Sequence, residues 1–420
     1  MANKLKTKKI LYEQLLKIKP AEKEQEELKN KTKDFIKKLE KSIKAKKIGA
    51  DVFVGGSLAK GTIIKKEKYD VDIFVRFSKE YEDKEISGIL DRVLGKAGLK
   101  AKKVHGSRDY FQVKRGKIIF EIIPTIKISK PEQARNVTDL SYFHVNYVKK
   151  NIKKRKKLAE DIMLAKSFTH SCGCYGAESY IQGFSGYALE LLVIHYKGFL
   201  NFVKAVSKAD KQIIIDPVRF YKNKQEILLE INESKLQSQI IFVDPTFKQR
   251  NALAALSAET FSKFQESCKK FLKNPSARFF EKLEINKKNF NFILQARTNR
   301  QKGDIAGSKL KKFYDFLAKR IEGYFIIKNK EFEYNENKNT GEIYFNLKRK
   351  DKLIIEGPPV TSVENLTKFK KKHPKAIIKK GKAYSVEKNK LTEKKFLQDF
   401  RKKYKKVMKE MGICEIKIMK

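Results

Sequence analysis

Asp70 and Asp72 flank a single valine in KYDVDIFVRF, where the alternation of Val71, Ile73 and Val75 predicts a strand. Residues i and i+2 of a strand point to the same face, so the two carboxylates project together while the apolar set faces a core. Side-by-side carboxylates repel, and a fold tolerates that most readily with a cation between them. A third acid, Glu121, is the lone charge in the apolar run IIFEIIP. If that strand lies beside the first, three carboxylates converge on a site able to hold two Mg²⁺ ions. Such a pair activates an attacking hydroxyl and neutralises a triphosphate. Upstream, DVFVGG reads as a short strand ending in a glycine pair, followed by Ser57 and Lys60. Gly55 and Gly56 allow the backbone close to a phosphate, which the Ser57 hydroxyl, nearby N–H groups and Lys60 can hold. Asp-x-Asp alone is common on surfaces; its place thirteen positions after Ser57, with a later third carboxylate, makes the pattern specific.

These residues need a scaffold that brings two strands and a glycine turn together. Residues 8–47 read as helix, and Glu85–Gly98 as another between strands. Tyr110–Pro124 reads as a hairpin turning at Lys114–Lys117. Residues 1–131 are therefore expected to form an α/β head. Residues 132–256 read as mostly helical, including the apolar segment Gly186–Tyr196, which carries Glu190 and His195. The remainder, 257–420, is mixed. A helical segment near Leu253–Leu272 runs across the boundary, and beyond it come a hairpin over Glu331–Lys348 turning at Asn339-Thr340-Gly341 and a turn at Gly357-Pro358-Pro359 before a basic helix. A Lys-rich helix with Phe396, Phe400, Tyr404 and Val407 on its apolar face closes the chain.

The charge narrows the partners. Lys and Arg number 96 against 49 acidic residues, a net +47, which makes a polyanion the first partner to consider. Basic runs stand at Lys149–Lys157, Lys368–Lys375 and Arg401–Lys406. With 41% apolar residues, 29 Phe and 17 Tyr the chain has ample material for several cores and is not a disordered tail. Four scattered cysteines make no disulfide framework, and Cys172-Gly173-Cys174 with His170 lacks the second cysteine pair of a zinc ribbon. No stretch approaches the length of a membrane span, the basic N-terminus lacks a signal peptide's apolar region, and a cytoplasmic location is expected. Gly183–Tyr187 does not match the Gly-x-Ser-x-Gly of a hydrolase elbow; its glycines suit close packing at a helix entrance.

GGSLAKGTIIKKEKYDVDIFVRF resembles the signature of the nucleotidyltransferase superfamily that includes DNA polymerase β. The chain as a whole is similar to the archaeal, class I CCA-adding enzymes. FEIIP, FHVNYVKK, the blocks LAKSF and CYGAESYIQGFSGYALELLVIHY, FVDPTFKQRNALAALS and GPPV follow the family's order. The resemblance implies addition of C, C and A to the tRNA 3′ end from CTP and ATP, without a nucleic-acid template. It implies an elongated head, neck, body and tail that grips the tRNA acceptor arm. Asp70, Asp72 and Glu121 would bind catalytic Mg²⁺; Gly56, Ser57 and Lys60 would hold the triphosphate, with His144, Lys166 and Tyr175 completing the nucleotide pocket. Arg250 would read the incoming base, a task suited to its fixed fork of donors.

Read without the resemblance, His144 is a packed histidine, Lys166 and Tyr175 ordinary helix and loop residues, and Arg250 a bridge to the following helix. Three positions depart from the family pattern: Glu121 in place of Asp, Leu140 in place of an arginine, and Phe247 in place of a second acid after Asp244. The pattern leaves open a narrower terminal nucleotidyltransferase (A-only or CC-only addition) and a tRNA-binding protein without catalysis. A homodimer is left open by the sequence. Binding to an A-form tRNA arm is expected to rest on backbone and shape, and to weaken steeply with salt.

Overall fold

The computed structural model describes residues 2–282 and 284–420, which form two units: Met1–Ala177 with Ile181–Leu283, and Glu178–Tyr180 with Glu284–Lys420. The mixed α/β architecture expected from sequence is present in both.

The first unit opens with α1 (Ala2–Ile18) and α2 (Glu22–Ala45) in place of the single helix expected over 8–47. The break falls at Pro20, which has no N–H and disfavours helical backbone at the residue before it. Leu28, Phe35, Leu39 and Ile43 recur along one face of α2 and are buried. Strands β1 (Ala50–Val54), β2 (Tyr69–Phe77), β3 (Lys102–Val104), β4 (Tyr110–Arg115) and β5 (Ile118–Ile126) form one sheet in the order β1-β2-β5-β4-β3. Only β2 and β5 run parallel. The β4–β5 hairpin turns through Gly116, whose φ of +59° a residue with a Cβ adopts at a cost. Between the strands lie the short α3 (Gly56–Lys60) and α4 (Ile86–Lys96). Helices α2 and α4 share a core with Val71, Ile73, Val75, Phe120 and Ile122, and Phe35 stacks on Phe120 at 4.1 Å. The period-2 pattern thereby leaves the opposite face of β2 and β5 for polar residues.

The same unit continues with α5 (Ser141–Lys154), α6 (Lys157–Ser171), α7 (Gly186–His195), α8 (Phe199–Ser207), α9 (Lys224–Glu230) and α10 (Ala258–Lys273). Its small sheet of β6 (Ile213–Ile215), β7 (Ile240–Asp244) and β8 (Phe247–Asn251) was not foreseen among expected helices. Phe168 lies against Phe199, Phe264, Phe271 and Phe280, so α10 belongs to the same core as α6 and α8. The glycines of Gly183–Tyr187 do permit close packing: a Cβ at Gly183 would sit 2.1 Å from the Cys174 carbonyl oxygen. Ser185 caps α7, its hydroxyl accepting from the Ala188 N–H.

In the second unit, β9 (Phe292–Thr298), α11 (Asp304–Ile321), β10 (Phe325–Asn335), β11 (Thr340–Arg349), β12 (Lys352–Pro359), α12 (Val363–Lys372), β13 (Ile377–Lys379), β14 (Lys382–Lys388), α13 (Glu393–Lys403), α14 (Lys405–Glu410) and β15 (Ile413–Ile418) follow in order. They build antiparallel sheets β10-β11-β9-β15 and β12-β14-β13. The expected hairpin is there, but Thr340 and Gly341 already belong to β11, and Asn339 takes the positive φ of the turn. Pro358 and Pro359, expected in a turn, end an edge strand, where a missing N–H removes no ladder bond. The closing Lys-rich segment is two helices meeting at Tyr404, with Phe396 and Phe400 buried. No helix among the described residues is long and apolar enough to cross a membrane.

Candidate active site

Asp72 pairs directly with Glu121 across the parallel strands β2 and β5, with Asp70 two positions back on the same face. Asp70 is exposed, Asp72 and Glu121 partly buried, and Val71, Ile73 and Val75 fully buried on the reverse face, as the alternation predicts. Burial pushes the Asp72 carboxyl above its ordinary range; Lys60 opposes that rise and Asp70 adds to it. The three side chains do not close into a cage, and no cluster of three or more metal-ligating side chains forms among the described residues. Gln112 Nε2 donates to Glu121 Oε1 at 2.8 Å, and Asp70 Oδ2 leans towards Lys66 Nζ at 3.6 Å. The donor set is all oxygen, as Mg²⁺ requires, and carboxylates aligned on one face of paired strands fit a divalent cation.

The glycine turn is fitted to the carboxylates. Gly55 N–H donates to the Asp72 carbonyl at 2.9 Å, tying the turn to β2. Gly56 has φ +57°, and a Cβ there would lie 1.6 Å from Asp72 Oδ2. Ser57 sits in the first turn of α3, partly buried. Lys60, at the end of α3, does not project freely: its Nζ reaches Glu190 Oε2 at 2.6 Å. Lys166 of α6 donates to Glu190 Oε1 at 3.0 Å and to Thr62 Oγ1 at 2.9 Å. Burial would raise Glu190, but the two lysines outweigh it and hold the carboxyl below its ordinary range. Burial likewise pulls the Lys166 ammonium down, against the pull of Glu190. Tyr175 stacks on His170 at 3.8 Å, one helical turn from Lys166, and His170 feels the charge of Lys166.

A second centre forms around Asp244 at the end of β7. Its Oδ1 accepts from the Tyr187 hydroxyl at 3.0 Å and from the N–H and hydroxyl of Thr246 at 2.9 and 2.7 Å; its Oδ2 pairs with Arg250 Nη1 at 2.7 Å. His144 of α5 stacks on Tyr187 at 4.0 Å, its Nε2 3.2 Å from Asp244 Oδ2 but off the line of a full hydrogen bond. Burial opposes the charge on Asp244, yet its donors hold the carboxyl well below its usual range. Burial also keeps His144 below the ordinary histidine value despite Asp244. Arg250 is thus a held side chain: half-buried, fixed at one end, and facing a cleft of about 610 Å³ lined also by Leu140, Ser185, Phe247 and Asn251. Both apolar departures in this region, Leu140 and Phe247, line that cleft.

The structure therefore gathers the predicted residues into three neighbouring groups: Asp70, Asp72 and Glu121 on the sheet; Lys60 and Lys166 on Glu190, with Tyr175 nearby; His144 and Arg250 on Asp244. His144 feels the charges of both Arg250 and Lys60, which links the last two groups. Sequence reasoning missed Glu190, Thr62, Tyr187 and Gln112 as participants, and treated Asp244 only as part of a motif. The one available signal was a carboxylate in the most apolar helix. Most of the basic side chains of Lys149–Lys157, Lys368–Lys375 and Arg401–Lys406 are exposed.

Residues 160–281 match the family model described as tRNA nucleotidyltransferase, second domain, and residues 5–141 that of the Second Messenger Oligonucleotide or Dinucleotide Synthetase domain. The chain is 37% identical over 348 residues to the CCA-adding enzyme of Nanoarchaeum equitans, covering 80% of this chain and 83% of that one. It is 30% identical over 407 residues to the CCA-adding enzyme of Methanocaldococcus jannaschii, covering 91% and 87%. Among solved structures, a cytoplasmic RNA terminal U-transferase superposes with a TM-score of 0.52 at 15% identity, over 67% of this chain and 99% of that one, a likeness of fold.

Proposed function

Because the chain belongs to the family of archaeal CCA-adding enzymes, the tRNA nucleotidyltransferases, we propose that it adds C, C and A to tRNA 3′ ends from CTP and ATP using the site formed on β2, β5, α3, α6 and α7. The observation that carries this reading is the pairing of Asp72 with Glu121 beside the Gly55-Gly56-Ser57 turn.

Asp70, Asp72 and Glu121 are the residues that would hold Mg²⁺. Bound there, the ions supply charge neutralisation for the triphosphate and activation of the attacking 3′-hydroxyl. The chain's own contribution is positioning and electrostatics, with no covalent enzyme intermediate. Gly56 lets the backbone and Ser57 approach the triphosphate, while Lys60 and Lys166 face its charge. Glu121 is one methylene longer than the aspartate usual at its position, and Gln112 holds its head group, restraining the extra rotor. Arg250, anchored by Asp244, presents its remaining donors to the base, and His144 on Tyr187 lines the path between base and phosphates. Tyr175 flanks Lys166 through His170.

The head corresponds to residues 1–131 without α1, whose Ile10, Leu11, Leu15 and Ile18 pack against the core of the neck. The neck begins at 132 and takes in α10, which shares its core, and the body and tail follow. The exposed basic runs are proposed to neutralise phosphates of the acceptor arm. Extension of a tRNA lacking its 3′ end, with CTP and ATP offered separately and together, tests this reading.

A further inference from the structure

We propose that Glu190 is a positioning residue for nucleotide binding, holding the ammonium groups of Lys60 and Lys166 side by side so that the triphosphate meets a preset pair of cations. This rests on the reading that these two lysines bind the triphosphate. Glu190 stands on α7 among Ala188, Leu189, Leu191, Leu192 and Val193, all buried, and is itself 0% exposed. An apolar helix gains nothing in packing from a carboxylate there, and an unpaired one would be costly. Each oxygen serves a different lysine: Oε2 takes Lys60, and Oε1 takes Lys166 together with the Thr62 hydroxyl at 3.1 Å. The carboxylate thereby joins α3 and its following loop to α6 and α7.

Two ammonium groups against one carboxylate leave one positive charge in a buried place. A fully neutralised set would have no net pull on an anion. Without Glu190 the two ammonium groups would repel each other, and burial would drive them towards neutrality or apart. One carboxylate between two lysines draws both ammonium groups to one point, one on each oxygen, and presents them together to a triphosphate. Asp72 feels both lysines, so the pair lies beside the catalytic carboxylates; Lys66, Asp70 and His170 are the other charged or titratable neighbours.

The test is steady-state kinetics with CTP and ATP on a tRNA acceptor for Glu190→Gln, Glu190→Asp, Lys166→Met and the Glu190→Gln/Lys166→Met double variant, with tRNA affinity and melting temperature alongside. The expected result for Glu190→Gln is a nucleotide KM raised about tenfold or more, kcat within about threefold and tRNA affinity unchanged. Glu190→Asp keeps the charge, and so the fold, but is too short to reach both lysines; it should give an intermediate KM. In the double variant the two KM effects should combine to less than their product, because they act through one contact. A normal KM in both Glu190 variants while Lys166→Met raises it overturns the proposal, as does a fall in kcat that tracks melting temperature at constant KM. A normal KM in Lys166→Met overturns instead the underlying assignment of the lysines.

Discussion

Asp72 and Glu121 stand opposite one another in the register of the parallel pair β2–β5, while Asp70 pairs with Ile119 one step outward. Asp72 is therefore the central carboxylate: it alone lies beside Glu121, Asp70 and the Gly56 backbone at once. Asp72→Asn should cut nucleotide addition by at least about a thousandfold, since several kcal/mol of charge stabilisation are lost. tRNA affinity, measured by filter binding, should change less than about twofold. Near-normal turnover, or lost tRNA binding with the fold intact, would count against the assignment.

Gly56 is needed for shape as well as conformation. A methyl group at φ +57° and 1.6 Å from Asp72 Oδ2 cannot be accommodated without moving the turn or the carboxylate. The left-handed backbone alone costs about 1–2 kcal/mol in an L-residue. Gly56→Ala should leave a folded protein with a lowered melting temperature and addition reduced by at least about a hundredfold, the cost of roughly 1 Å of misplacement. Gly61→Ala, with an equally positive φ but open space around its Cβ, should cost stability and leave more activity.

Arg250 is fixed by Asp244 at 2.7 Å, and the proposed reading of the base depends on that anchor. Arg250→Ala should lower discrimination between CTP and ATP at the first added position by about tenfold or more. Asp244→Asn should act in the same direction, with a further loss of stability from the donors it leaves behind. Discrimination unchanged in both variants would detach this pair from base selection.

Acid should destabilise the fold in a defined window. Burial holds His144 below the ordinary histidine value, and burial with the charges of Lys66 and Lys166 pushes the His170 ring down to about 4. Both stay neutral in the folded chain while the unfolded chain takes up protons below about 6.5. Their contribution is fully present above that pH and is lost as pH falls towards 4. Asp244, held low, adds a loss in the same direction below about pH 3.9. The urea midpoint should be flat from about pH 7 to 8, fall between about pH 6 and 5, and fall less steeply in His170→Gln. A midpoint unchanged down to about pH 5 would contradict these environments.

The carboxylate face was legible because a strand's period of two is unambiguous: Asp70 and Asp72 against Val71, Ile73 and Val75 determine both the element and its faces. Glu121 followed from the same rule applied to IIFEIIP. Helix ends were harder. Pro20 and Tyr404 divide segments whose apolar periodicity runs through the break, and short strands such as Ile213–Ile215 look like helix fragments. Partnerships between distant residues were not legible at all. Nothing local shows that Lys60, Lys166 and Glu190, far apart in sequence, share one contact, or that Asp244 gathers Tyr187, Thr246, Arg250 and His144. Those depend on how helices pack, which composition and spacing do not encode.

The most direct measurement is extension of a tRNA ending at its discriminator base, in Mg²⁺, with CTP alone, ATP alone and both. CCA addition requires two residues added with CTP, almost none with ATP, and three with both, all absent in Asp72→Asn. Continued A-tailing, or a halt after one or two residues with both nucleotides present, would contradict it. Either result would point to the cleft that Leu140 and Phe247 line beside Arg250.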